Sequence, residues 1–148
     1  IKELPRKTKK YILYSLLIVF GIALVGSVAW LVTTSPKLPN LPPTTAQGHT
    51  ENMPDAHITD KPIHDSMQRH MLEHADGKGK PGIIVQYNCK KYICESDLVQ
   101  KLTDLVKQYP DKVYLAPGDY DGKLILTKSG SIKILENFDE KTIKDFIQ

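Results

Sequence analysis

The sequence predicts a small α/β domain that follows a single N-terminal transmembrane helix. The first observation behind this prediction is an uncharged apolar segment, residues 11–33. The second is a proline-rich stretch, residues 34–48, which separates that segment from the rest of the chain. The third is the pattern after residue 48, where short β-branched runs alternate with segments whose apolar residues have helical spacing.

The apolar segment reads YILYSLLIVFGIALVGSVAWLVT. At about 1.5 Å per residue, a helix of this length spans the roughly 30 Å hydrocarbon core of a bilayer. Tyr11, Tyr14 and Trp30 lie near its ends, and aromatic side chains favour the two membrane interfaces. A cleaved signal peptide is the alternative, but its apolar region is usually shorter, roughly 7–15 residues. We therefore expect a transmembrane anchor over residues 11–33.

The charge distribution predicts the orientation of this anchor. The net charge is +3, of which the first 34 residues contribute +4, so the remaining residues total −1. Because basic flanks stay in the cytoplasm, we expect residues 1–10 there and residues 35–148 outside the cell membrane. The near-neutral domain lacks a basic face for nucleic acid, so the expected partners are the lipid bilayer and other membrane-protein subunits. We call residues 1–10 the basic arm; its basic residues are Lys2, Arg6, Lys7, Lys9 and Lys10.

The proline-rich residues 34–48 are expected to form a semi-extended linker, because proline is excluded from helix interiors and central strands. The extracytoplasmic domain is then residues 49–148. Its first helix is predicted over residues 62–74, with Pro62 in the first turn after Asp60 or Lys61.

The rest of the domain reads as strands and helices in the order β-α-β-β-β-α. Residues 83–89 are β-branched and apolar, which predicts a buried strand. A helix follows over residues 97–109, with Ser96 as a possible cap, and then a strand in residues 112–118.

A β-hairpin and a short helix are predicted to close the domain. Alternation on both sides of Ser129 and Gly130 predicts the hairpin, and Asp139 is a plausible cap for a helix over residues 139–148. We expect a mixed sheet with helices packed against it, and the order of elements looks like the later part of a thioredoxin-like fold.

Residues 49–74 contain all five histidines and all three methionines of the chain. On a helix, His70 and His74 lie on one face, next to Met67 and Met71. Imidazole with thioether favours copper, whereas imidazole with carboxylate would favour zinc. The alternative is that the methionines and Leu72 form a core face, and that hydrogen bonds satisfy the histidines.

Two further motifs have competing interpretations. The run HMLEH at residues 70–74 matches the inverted zinc-protease motif, but the small domain shows no second lobe to form a cleft. Cys89 and Cys94 are spaced C-x4-C, which differs from the redox motif C-x-x-C. A structural disulfide is the leading interpretation outside the cell, with metal ligation or a redox role as alternatives.

Several of these motifs resemble a family of uncharacterised exported domains, each with one N-terminal transmembrane helix. PPTTAQGH at residues 42–49 looks like its Pro-Pro-Thr-Ser-Gly-x-His element, and HMLEH like its His-x-Leu-Glu-His element. The segments after residue 112 are similar to its hairpin and closing helix. This chain departs from the family in the inserted ADGKGKP, in one extra residue before His49, and in its cysteine pair and extra methionines.

The resemblance implies no activity, but it points to a shared polar set of His49, His70, Glu73 and His74. The lysine-rich sequence, with YNC and a second cysteine nearby, also resembles membrane proteins of ammonia-oxidising archaea. The metal ligands predicted from both arguments are His49, His70, Glu73, His74, Met67 and Met71.

The functional expectation is an accessory membrane subunit that is not an enzyme by itself. Its exported domain would bind copper, with zinc as the alternative, inside a larger complex for which a copper-dependent ammonia monooxygenase is the candidate. Ala23 and Ser27, four residues apart, permit close packing of the anchor against other helices. The alternatives are a stand-alone copper-delivery protein, an exported thiol-disulfide protein and a purely structural subunit.

Overall fold

The computed structural model describes residues 5–34, 37–75 and 79–148. Residues 1–4 of the predicted basic arm, residues 35–36 of the predicted linker and residues 76–78 within the inserted ADGKGKP lie outside the described residues. The chain forms two compact units, which divide between Leu38 and Pro39.

The first unit is helix α1, Arg6–Thr34. Its segment Lys10–Thr34 has a mean hydropathy of 2.5 and is long and apolar enough to cross a membrane. The hydroxyl groups of this segment donate to carbonyls of the preceding turn, as Ser15 does to Tyr11 at 2.8 Å. Such bonds satisfy polar side chains that have no water to contact in an apolar environment.

The described residues of the second unit form three helices and four strands. The predicted mixed α/β domain is confirmed, and its element order begins with a helix that precedes the first strand. The helices are α2 (Asp65–Glu73), α3 (Leu98–Val106) and α4 (Glu140–Ile147), and the strands are β1 (Ile83–Tyr87), β2 (Val113–Pro117), β3 (Leu124–Lys128) and β4 (Ser131–Leu135).

The four strands form one mixed sheet in the order β2-β1-β3-β4. Strands β1 and β2 are parallel, with Ile83 opposite Val113. Strand β3 is antiparallel to both β1 and β4. Helix α3 supplies the crossover that two adjacent parallel strands require.

Alternate residues of the central strands point to two separate apolar clusters. Ile83 and Val85 of β1 face the larger cluster, where they meet the buried sides of α3 and α4. Ile84 faces the smaller cluster, where Met71 and Leu72 of α2 pack. A sheet covered on both faces explains why β1 reads as a continuous apolar run.

Helix α2 begins later than the sequence predicts. Its N-cap is His64, whose Nδ1 accepts a hydrogen bond from the Ser66 amide, so Pro62 is not in the first turn and Asp60 or Lys61 is not the cap. The physical reason is a contact distant in sequence, since Ile58 forms a parallel bridge to Leu115 of β2. That pairing keeps the approach to α2 extended.

Helix α3 is shorter than the predicted residues 97–109 and ends at Val106. Its N-cap is Asp97 rather than Ser96. The predicted hairpin is confirmed, with Gly130 in the left-handed region at φ 70°, where glycine has no Cβ penalty.

Most of the proline-rich segment packs on the domain. We call residues 39–51 the strap. Asn40 donates to a carboxylate oxygen of Asp121 at 2.8 Å and accepts from the Asp121 amide at 2.7 Å. Pro42 and Pro43 are buried, and the Gly130 amide donates to the Thr44 carbonyl at 2.8 Å.

Replacement of Asp139 is predicted to destabilise α4. Its carboxylate accepts from the Thr142 amide at 3.0 Å, as expected for the predicted N-cap. Asp139→Ala should lower the free energy of unfolding by about 1 kcal/mol, measured by chemical denaturation. Asp139→Asn is the matched control, because asparagine caps helices nearly as well; equal losses in both variants would contradict the role of the cap.

Acid should weaken the same cap. Hydrogen bonds from the Thr142 amide and then the Thr142 hydroxyl hold the pKa of Asp139 below its ordinary value. A carboxylate with a lowered folded pKa contributes stability above its unfolded pKa, and this contribution is lost as the pH falls through the folded pKa. The stability difference between the native chain and Asp139→Ala should therefore shrink with acidification in denaturation experiments.

Candidate metal site

The five histidines divide into two groups. His57 stacks on the ring of Tyr114, with ring centroids 3.9 Å apart, and its Nδ1 donates to the Val113 carbonyl at 3.1 Å. His64 caps α2. These two side chains therefore have structural roles, whereas His49, His70 and His74 lie together.

Helix α2 and the strap bring these three imidazoles into contact. The ring centroids of His49 and His70 are 5.2 Å apart, and those of His70 and His74 are 5.5 Å apart. His74 is the C-cap of α2, and its amide donates to the His70 carbonyl at 2.8 Å. The predicted ligands His70 and His74 are therefore adjacent, and the predicted ligand His49 lies beside His70.

The hydrogen bond of His49 determines which of its nitrogens is available. Its Nδ1 lies 2.8 Å from the Ala46 carbonyl and must donate to it, so in the neutral ring the lone pair is on Nε2. This Nε2 lies 3.3 Å from a carboxylate oxygen of Glu51. The Ala46 carbonyl and the Glu73 and Glu51 carboxylates raise the pKa of His49.

His70 contributes a buried nitrogen. The residue is only 5% exposed, and its Nδ1 has no hydrogen-bond partner among the residues that the structure describes. A carboxylate oxygen of Glu51 lies 3.9 Å from this Nδ1. A buried polar atom without a partner costs free energy, so it requires an explanation such as an ion or a water molecule.

Glu51 is a candidate ligand that the sequence prediction missed. One ligand atom each from His49, Glu51 and His70 lies within 4.8 Å of the others. Ligand atoms that lie about 2.0–2.1 Å from a tetrahedral ion are roughly 3.4 Å from one another. A modest movement of the side chains would therefore bring these three atoms to metal-binding separations. Glu51 is well suited to that movement because its side chain is 86% exposed.

Glu73 lies between two of the imidazoles. One of its oxygens is 3.5 Å from Nδ1 of His49 and the other is 3.4 Å from Nε2 of His74. Carboxylates in this position orient ligating histidines and increase their basicity. The buried Nδ1 of His74 has no hydrogen-bond partner in the described part of the chain.

The methionines of the predicted ligand set pack in the domain core. Met71 is completely buried in the smaller apolar cluster, beside Leu72 and Ile84. Met67 and Met53 pack against the same cluster and are partly buried. This packing agrees with the alternative prediction that the methionines form a core face. The donor atoms that converge in the candidate site come from imidazole and carboxylate groups.

Cys89 and Cys94 form a disulfide in the segment that follows β1. Cys89 is exposed, whereas Cys94 is partly buried against the larger cluster. The two cysteines are therefore bonded to each other, as the leading interpretation of the sequence predicts.

Substitution of Met71 distinguishes a core side chain from a ligand. Met71→Leu conserves volume and should cost less than about 1.5 kcal/mol of stability, while Met71→Ala should cost about 2–5 kcal/mol. Neither change should remove a metal-ligating atom. Chemical denaturation and metal titration of both variants provide the test, and loss of metal binding in a fully folded Met71→Leu would contradict the core assignment.

Comparison of the chain with protein-family models, with curated proteins and with solved structures finds no match. The resemblance to a family of exported single-helix proteins therefore stays a prediction from the motifs alone.

Proposed function

We propose that the domain binds one divalent transition-metal ion through His49, Glu51 and His70. The observation that best supports this proposal is the convergence of three ligand atoms within 4.8 Å, one from a buried imidazole whose Nδ1 has no partner among the described residues. Two imidazoles and a carboxylate are a common ligand set for such ions. His74 and Glu73 lie beside these ligands and serve as a fourth ligand and an orienting group.

Imidazole with carboxylate is the donor set expected above for Zn²⁺, whereas the general order of affinities favours Cu²⁺, which we take as the proposed ion with Zn²⁺ as the alternative. For a given set of nitrogen and oxygen ligands, Cu²⁺ generally binds more tightly than Zn²⁺. Thioether ligation by Met67 and Met71, which would favour Cu⁺, conflicts with the packing of Met71 in the core. The case for copper therefore rests on imidazole nitrogen rather than on methionine sulfur.

The setting of the site suggests an accessory subunit of a membrane complex. Helix α1 would anchor the chain, with the basic arm in the cytoplasm and the domain outside. The small side chains of Ala23 and Ser27 would let other transmembrane helices approach closely. An ammonia monooxygenase as that complex rests on the sequence resemblance alone.

Two alternatives each have one supporting observation. Metal delivery by a stand-alone protein is favoured by the 86% exposure of the Glu51 side chain, because an accessible ligand facilitates exchange of the ion. A thiol-disulfide role is favoured by the exposed Cys89, which follows the first strand as in a thioredoxin-like arrangement of elements. The remaining proposal is a purely structural subunit.

Calorimetric titration of the full chain in detergent micelles tests the metal site. Native protein should bind one Cu²⁺ or Zn²⁺ ion, and Cu²⁺ should bind more tightly. His70→Ala and Glu51→Gln remove proposed ligands, so each should weaken binding at least as much as loss of an outer-shell partner, roughly 10–100-fold.

The matched controls remove an imidazole and a carboxylate that lie outside the proposed site. His64→Asn deletes an imidazole from α2 but keeps a good helix cap, and Glu136→Gln removes an exposed carboxylate. Both controls should bind metal as the native chain does. Absence of binding to the native chain, or unchanged affinity in both ligand variants, would refute the proposed site.

A further inference from the structure

The ligands of the proposed metal site come from two separate parts of the fold. His49 and Glu51 belong to the strap, and His70 belongs to α2. We propose that the bound ion acts as a clasp that fastens the second half of the strap, residues 45–51, to α2. This inference rests on the proposed metal site and adds a consequence of its occupancy.

The strap is held at its start by a few polar contacts. Asn40 and Asp121 exchange two hydrogen bonds of 2.8 and 2.7 Å, and Lys91 forms an ion pair with the same carboxylate. Four residues further on, the Thr44 carbonyl accepts from the Gly130 amide at 2.8 Å. Together with the buried Pro42 and Pro43, these contacts fix the first half of the strap.

The second half of the strap has weaker attachments. The Arg69 guanidinium donates to the Thr45 carbonyl and hydroxyl at 3.2 and 3.1 Å, and the Thr50 amide donates to the Ser66 carbonyl at 3.3 Å. Most side chains here are exposed, including Thr45, Gln47, Thr50 and Glu51. A segment with few buried contacts and exposed hydrogen bonds opens locally at low cost.

A metal ion would oppose this opening because it binds both sides of the contact. With the strap closed, the ion is shared by His49, Glu51 and His70; with the strap open, His70 loses both strap ligands. The ion therefore binds the closed form more tightly and shifts the population towards it. Linkage requires the reciprocal effect, so loosening the strap must weaken metal binding by the same factor.

Hydrogen exchange of the full chain in detergent micelles tests the clasp, with Zn²⁺ as the probe ion. At free Zn²⁺ of 100 times its Kd, exchange through local opening should slow by up to about 100-fold. The Thr50 amide, which donates to the Ser66 carbonyl of α2, should show this effect. Amides of α3, which has no hydrogen bond to the strap among the described residues, should be unaffected where they already exchange through local fluctuations.

Variants outside the ligand set test the reciprocal effect. Arg69→Ala removes the exposed bonds to Thr45, and Asp121→Ala removes the acceptor for the Asn40 amide. Each should speed exchange in residues 45–51 and weaken Zn²⁺ binding several-fold, although neither residue is a proposed ligand. Asp104→Ala alters an exposed carboxylate of α3 and should change neither readout.

The outcomes separate the two proposals. If calorimetry detects no Zn²⁺ binding to the native chain, the metal site itself is wrong. If Zn²⁺ binds through His49 and His70 but exchange in residues 45–51 is unchanged, the clasp is wrong and the site stands. Equal slowing in every element would indicate global stabilisation and would also overturn the clasp.

Discussion

The docking of the strap on the domain is the interaction on which the candidate site depends. His49 and Glu51 have no fixed position unless the strap has one. The proline pair in the strap supports this docking in two ways. Pro42 and Pro43 are buried against the domain, and their fixed φ angles reduce the conformational entropy that ordering removes.

The sheet provides the second constraint, because it positions α2 rigidly beneath the strap. Gly82 allows this close approach: a Cβ there would lie 2.7 Å from the Met71 carbonyl and 2.6 Å from the Ala75 Cβ. The Gly82 amide instead donates to that carbonyl at 2.9 Å. The same turn of α2 therefore holds Met71 in the core and carries His70 and His74 on the side that faces the strap.

Local patterns were sufficient to predict much of this fold, and contacts distant in sequence explain what was missed. Helical spacing identified α3, and alternation around Gly130 identified the β3–β4 hairpin. The start of α2 was misplaced because the bridge between Ile58 and Leu115 joins residues far apart in sequence. No local signal at Pro62 reveals that bridge.

The candidate site shows the same division between local and distant information. The four-residue spacing of His70 and His74 was readable in the sequence, and His49 of the predicted ligand set lies next to His70 in the structure. Glu51 was missed because its approach to His70 depends on the path of the strap, although it lies two residues after His49. Composition alone could not separate methionine as a ligand from methionine as a core residue, since burial decides between them.

Anomalous X-ray diffraction from crystals of the metal-loaded full chain would test the central claim most directly. Data collected on both sides of the copper or zinc absorption edge locate the ion independently of any assumed ligand. The account predicts one strong peak within about 2.0–2.2 Å of Nε2 of His49, Nδ1 of His70 and an oxygen of Glu51. A peak at a methionine sulfur or at the surface histidine His64, with none between the strap and α2, would contradict it.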